Sequence, residues 1–280
     1  MFLLVSMFSR LGITRVRITG GEPFVRPGIL SFLQKISLVP ELKEITVTSN
    51  GTLSSRYRQS LFGMGIRKIN ISLDALDPQR FCQITRRDRF YEVYEGIFDL
   101  LKDGFEVKLN CVVAPNKNIE DIIPFIELTK EHPLSVRFLE EMPFNGSATA
   151  ADPRVYWSHQ QILAHITAHY PAIIPLPNPA NSTSVNYTIP GYRGSFGIIP
   201  SFSRTFCGSC NRIRLSATGE LRTCLYGQPS ANLRDLLRMN DEEDRIREAI
   251  LLAVSHRKKD GYEAEAQYGA VYTSMSVLGG

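Results

Sequence analysis

The chain has 280 residues, enough for one barrel or two domains, and its 43% apolar and 21% charged residues are ordinary for a globular protein. Its net charge of +4 is too small to indicate a nucleic-acid partner and favours a local cationic pocket for an anionic small molecule. Five cysteines do not fit a secreted disulfide framework, and no stretch reaches the roughly 20 apolar residues of a membrane span, so we expect a cytoplasmic protein without a membrane partner.

Strand and helix patterns alternate through the first half of the chain. Residues 1–8 are apolar, and Arg10 and Gly12 follow them, which predicts the end of an amphipathic helix and not a signal peptide. Short β-type runs then occupy residues 15–19, 44–50, 68–74, 106–113 and 135–140. Helical patterns between them include residues 29–36, 90–102 and 119–130. This spacing predicts βαβ units and a parallel sheet or barrel.

From about residue 145 the pattern changes to a proline-punctuated stretch that we predict to be poor in long helices. Residues 178–186 are predicted to form an exposed loop, residues 196–199 a strand and residues 241–255 a helix. We therefore divide the chain into a βα domain over residues 1–145 and a smaller C-terminal module over residues 146–280.

Polar side chains alternate with apolar ones along all five predicted strands, so each strand has one polar and one apolar face. Helices are expected to cover the apolar face, and the polar face then lines the interior. A lumen of this kind cannot pack dry at acceptable cost, so it holds water or a polar ligand. The alternative is a sheet with one solvated face, which is unusual among parallel sheets. The polar face carries Arg17, Thr48, Ser72, Lys108 and Arg137.

Three cysteines lie close together in the C-terminal module. Cys207 and Cys210 are three residues apart, and Cys224 follows fourteen residues later. A closed structural metal site has four ligands, so three thiolates leave one metal position free for a substrate. Zinc and iron–sulfur clusters both suit a thiolate-only set, and the residues alone leave the two open. Cys82 and Cys111 are isolated and are expected to be structural.

A glycine-rich turn ends the first predicted strand. Gly20 and Gly21 permit positive φ angles and a close approach of the backbone to a ligand, and Glu22 can accept hydrogen bonds from an ammonium group. The C-terminal ends of the strands form the active face of α/β barrels. A plain βα turn is the alternative interpretation of residues 20–23.

In combination, the motifs resemble those of the GTP 3′,8-cyclase family, radical S-adenosylmethionine (SAM) enzymes that begin molybdenum cofactor biosynthesis. The resemblance covers residues 11–280. It rests on residues 20–23 (GGEP), 48–51 (TSNG) and 70–75 (NISLDA), which follow successive strands in the order seen in that family. It rests further on Cys207-x2-Cys210-x-Arg212-Ile213-Arg214-x9-Cys224 and on the terminal Gly279 and Gly280.

The resemblance implies an α/β fold, namely an incomplete (β/α) radical SAM barrel lacking its first strand, with a C-terminal Fe–S cluster module. It implies conversion of GTP to 3′,8-cyclo-7,8-dihydroguanosine 5′-triphosphate. It also implies a [4Fe–4S] cluster on Cys207, Cys210 and Cys224, whose free iron binds the purine, and a tail, Gly279 and Gly280, that enters the active site. The residues implied for GTP are Arg17, Thr48, Lys108, Arg212, Ile213 and Arg214, and those implied for SAM are Gly20, Gly21, Glu22, Ser72 and Met142.

One family feature is absent from the sequence. Radical SAM enzymes hold a first [4Fe–4S] cluster with a C-x3-C-x2-C triplet, and none occurs here. We expect an N-terminally truncated cyclase that is inactive alone, and we expect the run at residues 15–19 to be an open edge strand. The expected partners are GTP, SAM, an electron donor and, in a homodimer, a second copy of the chain. The alternatives are a non-catalytic relative that binds GTP or a structural metal, and another radical SAM enzyme with an auxiliary cluster.

Overall fold

The computed structural model describes residues 1–142, 156–239 and 243–268. A helix, α1 (Phe2–Arg10), ends before Gly12, as predicted. The predicted strands then form, two of them with the expected bounds: β1 (Arg15–Ile18), β2 (Glu44–Ser49), β3 (Lys68–Ser72), β4 (Glu106–Val113) and β5 (Ser135–Glu140). The helices between them are α2 (Ile29–Ser37), α3 (Ser54–Gly63), α4 (Pro78–Thr85), α5 (Phe90–Lys102) and α6 (Ile122–Glu131).

The described residues of the second half include helices that the sequence interpretation missed, the longest of which is α7 (His159–His169). The prediction of a stretch poor in long helices is wrong there. The strands that follow are β6 (Ile174–Pro175), β7 (Val185–Thr188), β8 (Ser195–Ile199), β9 (Arg214–Leu215), β10 (Glu220–Arg222) and β11 (Ala231–Asn232). The last helices are α8 (Leu233–Arg238), α9 (Glu243–Ser255) and α10 (Gly261–Tyr268).

The main sheet has eight strands in the order β1-β2-β3-β4-β5-β8-β7-β6. Strands β1 to β5 and β8 are parallel, whereas β6 and β7 are antiparallel additions. The predicted partial (β/α) barrel is therefore confirmed, with β1 at one edge of the sheet. Strands from both sides of residue 145 share this sheet, and that residue lies outside the described ranges, so the domain boundary stays a prediction.

The alternation predicted for the strands is visible in β4. Val107, Leu109 and Cys111 are at most 2% exposed and belong to the core between the sheet and the helices, whereas Lys108 and Asn110 are half-buried on the other face. Complete burial of Cys111 agrees with its predicted structural role. Burial of these apolar strand faces against helices stabilises the barrel through the hydrophobic effect.

A second apolar cluster joins the N-terminal helix to the C-terminal module. Leu4 and Phe8 of α1 pack with Leu221 of β10 and with Ile246 and Ile250 of α9. The three short strands β9, β10 and β11 form a separate antiparallel sheet beside this cluster. Within residues 1–142, 156–239 and 243–268, none of the helices combines the length and apolar character that a membrane span requires.

Candidate functional site

The turn after β1 is braced against the end of β2. Gly20 has φ +140°, a conformation that favours glycine, and it turns the chain toward Glu22. The Glu22 carboxylate accepts hydrogen bonds from Phe24 N, Asn50 N and the Ser49 hydroxyl, at 2.7–3.1 Å. These bonds connect two neighbouring strand ends at the mouth of the barrel, although a carboxylate keeps further acceptor positions for a ligand.

The next two strand ends carry the remaining predicted mouth residues. Thr48 is 9% exposed, and its hydroxyl accepts a 3.2 Å hydrogen bond from the Asn70 side chain across β2 and β3. Ser72, at the end of β3, is exposed. Gly51 has φ +87°, and a Cβ there would stand 2.7 Å from Val93 Cγ1, so this turn also requires glycine.

Asp74 lies two residues beyond Ser72 and is held by the end of β4 and the loop that follows β4. Its carboxylate accepts a 2.8 Å hydrogen bond from Val112 N, and its carbonyl accepts one of 2.7 Å from the Asn118 amide. Burial raises the pKa of Asp74 to about 6, despite the Val112 hydrogen bond and the charge of Lys117. The mouth thus contains a carboxyl group that titrates close to neutral pH.

Cationic side chains from separate elements converge inside the barrel. Desolvation lowers the pKa of Arg17, and the charge of Arg212 lowers it further. Desolvation lowers the pKa of Arg137 to about 10, with added repulsion from Arg17 and Arg212. Arg17 is nevertheless exposed to solvent, as expected for a side chain in a water-accessible concave cavity. We call Arg17, Lys108, Arg137, Arg212 and Arg214 the cationic lumen.

Two further members of the cationic lumen, Lys108 and Arg214, also have lowered pKa values. Desolvation lowers the pKa of Lys108, followed by repulsion from Arg137. Desolvation also lowers the pKa of Arg214, followed by repulsion from Arg17. An anionic ligand in this region would compensate the mutual repulsion of these cations.

Two buried polar atoms in the same region have no hydrogen-bond partner among the described residues. They are Arg137 Nε and Asn110 Oδ1, on adjacent strands and paired in register. A buried donor or acceptor without a partner costs free energy, so a polar ligand in this position would satisfy both. The lumen therefore fits a polyanion that also carries hydrogen-bonding groups.

The cysteine loop follows β8 and forms a short 3₁₀ turn at Cys207–Ser209. Burial raises the pKa of Cys207, and the charges of Cys224 and Cys210 raise it further, so the three thiols are near neighbours. Within the described ranges, no three histidine, cysteine, aspartate or glutamate side chains converge tightly enough to hold a metal ion. The donor set suits a soft metal or cluster in type, since all three ligands are thiols.

Cys210 differs from Cys207 because cations surround it. Burial opposes its ionisation, but the Arg212 N–H and the Arg257 guanidinium hold its pKa below the usual value. Arg257 also donates a 3.3 Å hydrogen bond to the Arg212 carbonyl. Arg257 therefore packs against the cysteine loop, although it lies far from that loop in sequence.

The predicted Arg212-Ile213-Arg214 segment presents two faces. Arg212 lies 3.8 Å from Cys210 Sγ and donates a 2.9 Å hydrogen bond to the Asn181 carbonyl. Ile213 instead packs against the second apolar cluster. Alternation along an extended segment explains the difference, and it leaves only the backbone of Ile213 available to a nucleotide.

Met142 is close to the cysteine loop. Its sulfur lies 3.4 Å from the Tyr226 hydroxyl and packs in a small cluster that includes Cys224. Arg204 stacks 3.6 Å above the Tyr226 ring and bonds to Glu265 of α10 at 2.7 Å. Met142 is therefore both a packing residue and a neighbour of a predicted cluster ligand. The predicted tail residues Gly279 and Gly280 lie outside the described residues.

Sequence reasoning missed Glu140, a carboxylate with no exposed side-chain surface at the end of β5. It accepts hydrogen bonds of 2.6–2.8 Å from His159 N, Phe202 N, Ser203 N and the Ser203 hydroxyl. These bonds connect β5, the start of α7 and the segment that leads to Cys207. The preceding apolar strand hid this role, because strand alternation places Glu140 among the core residues.

Two family models match the chain. One, described as the Radical SAM superfamily, matches residues 4–129, and the other, described as Molybdenum Cofactor Synthesis C, matches residues 134–263. Among solved structures, Streptococcus suis SuiB has a TM-score of 0.57 at 14% identity, covering 97% of this chain and 68% of SuiB. The structure of SuiB bound to S-adenosylmethionine has a TM-score of 0.54 at 15% identity, and the match covers 93% of this chain and 61% of the SuiB chain. At this identity the likeness shows the fold alone.

Curated relatives are more similar in sequence. The molybdenum cofactor biosynthesis protein moc-5 of Caenorhabditis elegans is 39% identical over 91% of this chain, which spans only 42% of that protein. GTP 3′,8-cyclase of Syntrophomonas wolfei is 38% identical over 94% of this chain and 82% of its own length. The GTP 3′,8-cyclase of Chlorobaculum tepidum is 34% identical over 99% of this chain and 83% of its own length. The chain therefore belongs to the radical SAM family of molybdenum cofactor biosynthesis proteins that includes these GTP 3′,8-cyclases.

Proposed function

We propose that the chain acts in the GTP 3′,8-cyclase reaction, which converts GTP to 3′,8-cyclo-7,8-dihydroguanosine 5′-triphosphate, and that the cationic lumen is its GTP site. The observation that carries the proposal is the repulsion among the cations of the cationic lumen, together with the buried Arg137 Nε, which has no hydrogen-bond partner among the described residues. Triphosphate is the part of GTP that such a cavity accommodates best, because guanidinium groups form paired hydrogen bonds to phosphate oxygens.

The geometry also suggests an orientation for the nucleotide. Arg17, Lys108 and Arg137 lie on the strands, inside the barrel, whereas Arg212 and Arg214 lie next to the cysteine loop. Phosphates bound among the strand residues direct the ribose toward Thr48 at the mouth and the purine toward Cys210. Arg212 and Arg214 then contact both the nucleotide and the thiolates.

We further propose that Cys207, Cys210 and Cys224 hold a [4Fe–4S] cluster. Such a cluster supplies a Lewis-acidic iron with one position open to the purine. The residues that would support it are Arg257 and the Arg212 N–H, which favour the ionised Cys210 needed for ligation. Zinc is the competing metal for the same donor set.

SAM is proposed to bind at the mouth, on Gly20, Gly21, Glu22, Ser72 and Met142. When bound and reduced, SAM supplies the radical chemistry for which this family is named. The first two turns are already ordered by the Glu22 hydrogen bonds, and Ser72 is exposed toward the mouth. Reduction of SAM requires an electron donor. We propose that the chain and this donor are cytoplasmic, and that two copies of the chain form a homodimer.

The sequence contains no C-x3-C-x2-C triplet, so we expect the isolated chain to bind GTP and SAM without cleaving SAM. The same observation favours a second candidate function, a non-catalytic relative that binds GTP. Both candidates require nucleotide in the cationic lumen, and they differ in whether 5′-deoxyadenosine is ever formed.

The test is anaerobic reconstitution of the full chain with iron and sulfide, followed by metal and sulfide analysis and electron paramagnetic resonance with and without GTP. We expect one [4Fe–4S] cluster whose signal shifts when GTP is added. Cys207→Ala should lose the cluster, and Cys82→Ala is the matched control that should keep it. One zinc without sulfide, or a signal indifferent to GTP, contradicts the proposal. Formation of 5′-deoxyadenosine from SAM contradicts the expected inactivity.

A further inference from the structure

The first inward-facing residues of the four N-terminal strands alternate in charge. Arg15, Glu44, Lys68 and Glu106 begin β1, β2, β3 and β4, and each lies on the polar face of its strand. In the parallel register Arg15 pairs with Glu44, and Lys68 pairs with Glu106. Because the mouth lies at the C-terminal ends of the strands, these residues lie at the opposite end, and we call them the floor ring.

The floor ring is held by ion pairs. Lys68 Nζ lies 2.5 Å from Glu44 Oε2 and 3.6 Å from Glu106 Oε2, so one ammonium serves two carboxylates. Burial opposes ionisation of Glu44, but the Lys68 hydrogen bond and the charges of Lys68 and Arg15 keep its pKa below the usual value. Glu44 is therefore charged near neutral pH, and the Lys68 ammonium is shared between the Glu44 and Glu106 carboxylates.

The carboxylates of the floor ring also act on the cations above them. Arg17 and Lys108 lie two residues further along β1 and β4, a rise of about 6.6 Å. Desolvation lowers the pKa of Arg17 and of Lys108, and the charge of Glu44, with that of Glu106 at Lys108, partly opposes this lowering. Along the strands, the carboxylates of the floor ring therefore lie within two residues of the cations Arg17 and Lys108.

We propose that Glu44 and Glu106 set the length of polyphosphate that the lumen accepts, and thereby select a nucleoside triphosphate against a tetraphosphate. This inference rests on the proposed GTP site. A triphosphate that enters from the mouth ends among Arg17, Lys108 and Arg137. A fourth phosphate extends toward Glu44 and Glu106, where like charges repel it and Lys68 has no charge to spare.

A purely structural floor is the competing interpretation, in which the ion pairs only close the bottom of the barrel. The two interpretations differ in their effect on ligand selectivity. Loss of a purely structural ion pair changes the free energy of unfolding and weakens the binding of all nucleotides by a similar factor. Loss of a length-setting carboxylate changes the ratio between two ligands that differ by one phosphate.

The experiment measures dissociation constants of GDP, GTP and guanosine 5′-tetraphosphate by isothermal titration calorimetry, at one fixed salt concentration. It compares the full chain with Glu44→Gln and with Glu106→Gln, each checked for folding by thermal unfolding. Glu41→Gln is the matched control. Glu41 is an exposed carboxylate three residues before Glu44, and its substitution removes the same charge.

We expect the unmodified chain to bind the tetraphosphate at least about tenfold more weakly than GTP. Glu44→Gln should reduce this ratio to about twofold, Glu106→Gln should reduce it in the same direction, and Glu41→Gln should leave it unchanged. An unchanged ratio in a folded Glu44→Gln variant that still binds GTP overturns the length-setting role alone. Absence of any guanine-nucleotide binding overturns the proposed GTP site as well.

Discussion

The carboxylate of Glu22 accepts a hydrogen bond from the backbone N–H of Asn50, with 2.7 Å between Asn50 N and Glu22 Oε2. The two residues belong to neighbouring strand ends and are 28 positions apart in sequence. The Ser49 hydroxyl lies 3.0 Å from both carboxylate oxygens. A glutamate proposed to contact SAM is therefore also the residue that aligns two turns of the mouth.

Glu22→Gln tests this double role. Glutamine keeps the size of the side chain but replaces one acceptor oxygen with a donor, which opposes the Asn50 N–H. We expect the free energy of unfolding to fall by about 1–3 kcal/mol and SAM to bind more weakly. Urea unfolding followed by circular dichroism, and equilibrium dialysis with SAM, measure the two effects. Unchanged stability would show that the Asn50 hydrogen bond is dispensable.

Arg137→Met tests the compensation of charge in the lumen. Its removal relieves repulsion with Arg17 and Arg212, so the nucleotide-free chain should be as stable as before or more stable. GTP should nevertheless bind about 10- to 100-fold more weakly, because a charge-assisted hydrogen bond contributes about 1.5–3 kcal/mol. Thermal unfolding and calorimetric titration give the two values. Arg193→Met, an exposed arginine, is the control, and equal GTP affinity in both variants would contradict the proposed site.

Asp74→Asn tests a pH dependence. The pKa of Asp74 is about 6 in the folded chain against an ordinary value of 3.8, so the folded state takes up this proton first as the pH falls. The ionised Asp74 carboxylate therefore destabilises the folded state above pH 6. This destabilisation disappears as the pH falls from about 6 to 3.8. We expect Asp74→Asn to raise the unfolding free energy at pH 8 by about 2 kcal/mol and to flatten its change between about pH 4 and pH 6.

Urea denaturation at several pH values measures this change. Asparagine keeps the oxygen that accepts from Val112 N, so the local geometry should survive. Asp88→Asn, in an exposed loop, is the control and should follow the unmodified chain. A variant that retains the full pH slope would assign the slope to another group.

Glu140→Gln tests the connection between β5 and the cysteine loop. Burial opposes ionisation of Glu140, but hydrogen bonds from Ser203 and His159 hold its pKa below 4.5. Its stabilising contribution is present above the ordinary pKa and is lost as the pH falls through the lowered value. We expect the variant to be less stable at pH 7 by about 3 kcal/mol and less sensitive to acid below pH 4.5. Chemical denaturation at pH 7 and pH 4 measures both, and Glu131→Gln is the exposed control.

The strands were predictable because alternation is a local property of the sequence. Val107, Leu109 and Cys111 on the buried face of β4 each have a polar neighbour on the opposite face, and the observed bounds of β4 and β5 agree with the pattern. Arg17, Lys108 and Arg137 could therefore be assigned to one interior from the sequence. Their mutual repulsion could not, because it depends on how closely the strands approach.

Contacts between distant residues explain the features that were missed. Glu140 is 63 residues from Ser203, and no local pattern indicates their hydrogen bond. Helix α7 has a signal that could have been used, since Ser158 and Gln161 form a capping box at its start. The surrounding prolines outweighed this signal in the sequence interpretation. The floor ring was visible as alternating first residues, but its ion pairs required the register between strands.

Strand β5 lies between β4 and β8, and it begins at Ser135, just after the first residue of the second matched family region. The region described as Molybdenum Cofactor Synthesis C therefore contributes an interior strand to the sheet built by the radical SAM region. Removal of either region would leave the backbone amides and carbonyls along the β4–β5 edge without their hydrogen-bond partners. Recombination between relatives at this junction would have to preserve the fit of β4 against β5, so the two regions are expected to be inherited together.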